Sequence, residues 1–192
     1  LVMLINDPAI PDPKDPAKLD ERMFKGRAMT YYGRWTYKFE IAAAKGAAGA
    51  IIIHETGPAA YPYDVVRNSN SEENITLRSP DGNANDVALR SWMREGKARE
   101  LLGACGQDFD ALKAAAIRPD FRPVPLAARL SATITTKLRT ISSQNFVARI
   151  EGSDPAHRDE TVVYSAHWDH LGKKVDKGRT TIYHGALDNA SA

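Results

Sequence analysis

Hydrophobic and polar positions fall in blocks along the chain, and the period within the blocks changes several times. Leu1 to Ile5 is a short apolar run closed by Asn6-Asp7-Pro8, which predicts a buried strand ending in a turn. Pro8 to Asp20 is rich in Pro, Asp and Lys and reads as a surface loop. A strand is expected around Arg27 to Tyr32, broken by Gly33-Arg34 before Thr36, which is placed to cap a helix. Tyr37, Ile41 and Ala44 then recur at helical spacing up to Lys45, and Gly46 suits the carboxyl-terminal stop. Gly49 to His54, reading Gly-Ala-Ile-Ile-Ile-His, predicts a strand covered on both faces, as in parallel sheets. The polar stretch from Gly57 to Asn85 reads as a long loop with one edge strand. It contains the glycosylation-type triplet Asn74-Ile75-Thr76, a pattern common by chance.

From Asp86 to Gly103, the positions Val87, Leu89, Trp92, Met93, Ala98, Leu101 and Leu102 fit a helix, or a helix pair broken near Gly96. Asp108 to Ile117 predicts a further helix with Phe109, Leu112 and Ala116 on one face and Pro119 beyond its end. Trp92 and Met93 are expected in the core, where large apolar side chains usually go. The Pro-rich connector from Pro119 to Pro125 marks a domain boundary, giving residues 1–125 and 126–192 as two domains. Beyond it, Leu130 to Leu138, Asn145 to Ile150 and Asp159 to Ala166 predict three successive strands. The fold class is α/β.

Composition changes this picture little. Of the 192 residues, 43% are hydrophobic and 26% charged, the profile of a globular chain able to bury a core. The net charge of +2 comes from interspersed signs, without the basic blocks of a nucleic-acid surface, so no nucleic-acid partner is indicated. No apolar run approaches the ~20 residues of a membrane span. Cys105 is the only cysteine and reads as a buried structural thiol. The chain opens without Met inside a strand-like run and stops directly after a proposed ligand, which reads as a piece of a larger polypeptide.

The chemistry concentrates at the carboxyl end, in Ser165-Ala-His-Trp-Asp-His-Leu-Gly172 and Gly185-Ala-Leu-Asp-Asn-Ala-Ser191. His167 is expected at the carboxyl end of a buried strand, with Asp169 two residues on and projecting the same way. An imidazole whose second nitrogen donates to a carboxylate is fixed in tautomer and orientation, which suits it to bind a divalent metal. Asp188 adds a hard anionic oxygen from a Gly-flanked turn. His170, expected on the opposite strand face, and His184, in a loop, are assigned structural roles or a place behind the ligands, and Trp168 is assigned to packing.

These two words closely resemble those of the di-zinc exopeptidases, the aminopeptidase and glutamate-carboxypeptidase family. The resemblance implies that His167 binds one of two zincs, that Asp169 supports it from behind, and that Asp188 bridges both metals. It also implies a Glu-Glu pair, a further acid and a distant His, none of which this chain supplies in place. The segment from Leu1 to the 120s, most specifically Lys38 to Ile53, resembles the protease-associated domain, a small mixed sheet or open barrel with flanking helices. Residues 126–192 then look like the first strands of the zinc-exopeptidase α/β domain.

The implied function is hydrolysis of terminal peptide bonds, aminopeptidase ahead of carboxypeptidase, in a secreted or periplasmic parent. The implied partners are a peptide substrate and the remainder of the peptidase domain. With two zinc ligands and no general base, the chain itself is expected to bind zinc poorly and to be inactive. Two alternatives stand beside this: a non-catalytic protease-associated module of a receptor-like relative, and a related metallohydrolase that deacylates amino acids. Nothing fixes an oligomeric state or side-chain specificity.

Overall fold

The computed structural model describes residues 1–26, 28–71, 73–170 and 172–191, in two compact units, Leu1–Thr133 and Ile134–Ala192. The first unit is built on three strands, β1 (Val2–Leu4), β2 (Gly49–His54) and β3 (Leu89–Arg94), in that spatial order and parallel throughout. Its helices are α1 (Trp35–Ala44), the short α2 (Thr56–Ala59) and α3 (Tyr63–Ser69), and then α4 (Glu95–Ala104) and α5 (Phe109–Ala116). The α/β class expected from the sequence is what forms, as a small parallel sheet with helices and, among the described residues, no closed barrel.

The centre of the unit follows from β2, whose side chains alternate between two apolar layers. Ala50 and Ile52 face a cluster with Phe39 and Ala42 of α1, Ile5 and Val87, and Trp92 packs against it. Ile53 faces the other way, onto Ala98 and Leu102 of α4 and Phe109 of α5, with Met93 and Leu112 beside them. Trp92 and Met93 therefore do belong with the core, on opposite faces of the sheet. Asp108 caps α5 by accepting the Ala111 N–H at 2.7 Å.

Several expectations are corrected here. Residues 28–30 are not a strand and Tyr31–Gly33 is a 3₁₀ turn; Arg27 lies outside the described residues. Thr36 sits inside α1 and Arg34 precedes it without a side-chain cap. The buried face of α1 is Phe39 and Ala42, while Tyr37 lies at its edge, against the rings of Tyr31 and Tyr32. Gly46 does close the helix with φ +70°. The loop expected after Gly57 holds α2 and α3, and no edge strand is assigned among its described residues. The helix expected from Asp86 is instead β3 running straight into α4 at Arg94, because the open edge of β2 offers six paired positions, from Gly49 with Leu89 to His54 with Arg94. Ala116 is exposed and Cys105 is half-buried.

Beyond residue 126 the three expected strands are absent: residues 130–138, 145–150 and 159–166 run without strand pairing. Phe146, Ile150 and Tyr164 are 91%, 97% and 86% exposed. A strand-like pattern becomes a strand only against a partner and a covering layer, and these segments have neither here. The hydrogen-bonded element is a hairpin, β4 (Gly172–Asp176) and β5 (Arg179–Tyr183). Lys177 and Gly178 turn it with φ +47° and +80°, the double positive φ of a two-residue hairpin loop.

Candidate metal centre

His167 lies on extended, unpaired backbone, not at the end of a buried strand. Asp188 lies in an irregular turn, Ala186–Ala190, entered through Gly185 from β5. The two words nevertheless meet. His167 Nε2 is 3.2 Å from Asp188 Oδ1, and its Nδ1 is 3.3 Å from Asp169 Oδ1. The backbone N–H of His167 also donates to Asn189 Oδ1 at 2.7 Å, fastening one word to the other.

Hydrogen counting gives this arrangement chemical content. A neutral imidazole carries one N–H and one lone pair, yet both ring nitrogens of His167 face a carboxylate. If Nδ1–H serves Asp169, then Nε2 presents its lone pair to an anionic oxygen, a contact that only a proton or a metal cation can make favourable. The separation suits the metal. Nitrogen and oxygen ligands at ~2.0 to 2.2 Å on a tetrahedral zinc lie about 3.4 Å apart. The 3.2 Å between Nε2 and Oδ1 is close to that edge.

The donor set is also incomplete. No group of three or more His, Cys, Asp or Glu side chains able to hold a metal occurs among the described residues. The pair is open to solvent, with side-chain exposures of 41% for His167, 83% for Asp169 and 78% for Asp188. What the residues fit is one edge of a zinc coordination sphere.

Two neighbours that the sequence did not offer as ligands stand beside the pair. Asn189 ties the His167 backbone, and its only sequence signal is its place directly after Asp188. His170 is half-buried, with its ring centroid 6.4 Å from that of His167 and 6.4 Å from Tyr183. Its expected placement on an opposite strand face does not hold, since no strand forms there. Gly185 explains its seat: a Cβ at that position would stand 2.7 Å from His170 Cβ. Trp168 is 79% exposed and packs no core, and His184 is exposed, leading from β5 into the turn. Leu171, within the first word, and Ala192 lie outside the described residues.

Residues 145–192 match the model of peptidase family M28, a quarter of the chain that contains every residue of this pair. No curated protein and no solved structure matches the chain.

Proposed function

We propose, from the peptidase family M28 that residues 145–192 match, that this chain is a fragment of a co-catalytic di-zinc exopeptidase. In this reading residues 1–125 form a protease-associated domain and residues 126–192 open the peptidase domain of a secreted or periplasmic parent. The family match supports a hydrolase of the metallopeptidase class. The finer step, to an enzyme cutting terminal peptide bonds and to an aminopeptidase ahead of a carboxypeptidase, rests on the two sequence words.

One observation carries the reading: His167 stands between two carboxylates, Asp188 at 3.2 Å from Nε2 and Asp169 at 3.3 Å from Nδ1. His167 and Asp188 are the residues that would hold zinc. Zinc, when held there, supplies polarisation of the scissile carbonyl and activation of the attacking water. The rest falls to the chain's own groups. Asp169 keeps the Nδ1 proton and so leaves the Nε2 lone pair for the metal. Asp188 brings two carboxylate oxygens, of which Oδ1 faces His167 and Oδ2 is available to a second cation. Asn189 fixes the backbone that carries the imidazole.

The test is metal analysis and hydrolysis of aminoacyl and peptidyl anilides by the full-length gene product, beside His167→Ala and Asp169→Asn. His167→Ala should abolish both zinc retention and turnover, and Asp169→Asn should lower either by about 10- to 100-fold. Full activity in His167→Ala would end the zinc assignment. The purified 192-residue chain should hydrolyse none of these substrates, and measured turnover by it would contradict the view that its site is partial.

A further inference from the structure

A cleft of about 660 Å³ in the first unit plays no part in the reading above. It opens between the amino-terminal end of α1, β3, and the polar segment from Asn70 to Asp86. Its volume falls within the ~300 to 1,000 Å³ typical of small-ligand sites. Three aromatic side chains, Trp35, Phe39 and Trp92, line it, with the Trp35 and Trp92 ring centroids 6.4 Å apart and their planes at 56°. Trp35 is 47% exposed, so part of its surface is uncovered where an apolar face could lie.

The polar lining is of amides, carboxylates and hydroxyls, Thr36 and Thr76 among them, so it can both accept and donate. Asn70 donates one Nδ2–H to the Val66 carbonyl at 2.8 Å, and Asn85 donates one to Asp81 Oδ2 at 2.7 Å, which leaves each amide an oxygen to accept with and a second N–H to donate. Hydrogen bonds from the Ser79 hydroxyl and the Asn83 N–H hold the Asp81 carboxyl below the usual carboxylate range, so it stays an anionic acceptor. The other charges on the lining are engaged: Glu40 takes the Tyr31 hydroxyl, and Asp86 pairs with Arg90, whose guanidinium already lies over Phe39.

A ligand complementary to this lining has an apolar face for the indole and a rim of hydroxyl donors for the amide and carboxylate oxygens. A peptide backbone offers one N–H per residue, and any flat apolar face has to come from a side chain. A pyranose ring offers both in one unit. We infer that this cleft is a saccharide-binding site, with Trp35 as the stacking platform and Asn70, Asp81 and Asn85 as hydroxyl acceptors. The inference stands apart from the peptidase reading, since it draws only on residues of the first unit.

The test is a titration of the intact 192-residue chain with chitotriose, maltotriose, cellotriose and mannotriose, read by tryptophan fluorescence and by saturation-transfer NMR. Nα-acetyl-arginine amide and a neutral tripeptide amide serve as competing ligand classes. At least one trisaccharide should bind saturably in the millimolar range or tighter, about −4 kcal/mol in standard free energy. Trp35→Ala should weaken it at least tenfold while Trp35→Phe keeps most of it, and Asn85→Ala should weaken it without altering the far-UV circular dichroism. Absence of saturable binding to all four sugars overturns the proposal. So does sugar binding that survives Trp35→Ala, or saturable binding of either peptide probe in preference to the sugars.

Discussion

Replacing Gly185 by alanine should uncouple the two halves of the metal pair while leaving both ligands in the chain. Gly185 has φ +67°, and an added Cβ would lie 2.7 Å from His170 Cβ and 3.0 Å from its Cγ. The left-handed conformation costs a residue bearing a Cβ roughly 1 to 2 kcal/mol. Carbon atoms rest about 3.5 to 4.0 Å apart, so the turn or the His170 segment has to give way by about 1 Å. That turn leads into Asp188 and is closed by the Ala190 N–H on the Gly185 carbonyl at 3.1 Å. The His170 segment is the one that carries His167. A retreat on either side widens the 3.2 Å separation beyond what one tetrahedral ion spans. In the variant the free turn relaxes, and binding has to force it back, so the strain returns as a zinc affinity about tenfold lower. The assay is a zinc titration of the 192-residue chain followed by the histidine Cε1–H resonances. Adding His170→Gly to the same chain removes the collision but not the φ strain, and should restore part of the affinity. Binding by Gly185→Ala indistinguishable from the native chain would refute this account, and so would a second substitution that restores nothing.

Three further outcomes concern the first unit. Ile52 is completely buried in β2, so Ile52→Ala should destabilise the unit by about 2 to 5 kcal/mol in urea denaturation followed by circular dichroism, and a loss well under this would mean the sheet is not its core. Asp108→Ala removes the 2.7 Å bond to the Ala111 N–H and should lower stability by about 1 kcal/mol, whereas Asp108→Asn should keep most of it. Arg99 meets both oxygens of Asp110, at 2.7 and 2.8 Å, and holds that carboxyl below its usual range. Because the folded value is the lower one, the pair's contribution is full above about pH 3.9 and disappears as the pH falls through the depressed value. Arg99→Lys, which loses the two-pronged geometry, should flatten the acid limb of the stability curve; an acid limb identical to that of the native chain would contradict the pairing.

The sequence disclosed most where a single segment decides its own structure. The aliphatic run of β2, the helix that begins at Asp108 and the stop at Gly46 are all local, and each forms where the pattern puts it. It failed where a distant partner decides. Leu89 to Arg94 sits in an apolar pattern that a helix could equally write, and the free edge of β2, some forty residues earlier in sequence, makes it a strand. Residues 145–150 and 159–166 show the converse case, strand-like in pattern but without a neighbour to pair with. The β4–β5 hairpin is also written locally, since Lys177-Gly178 separates Val175 from Thr180 and Ile182 as a two-residue turn.

The contact between His167 and Asp188 survives the loss of those strands, and the reason lies in what holds it. Its geometry depends on three short-range contacts between two loops: the imidazole with Asp188, the His167 N–H with Asn189, and the His170 side chain seated on Gly185. None of these contacts needs the backbone around His167 to be a strand. Asp169 and Asp188, at 83% and 78% exposure, keep most of their hydration, so a cation gains from them only what exceeds the water it displaces. A pair so placed can select geometry before it can supply affinity. The loops set the ligand separation, and affinity has to come from further oxygens and nitrogens that exclude solvent around the same ion.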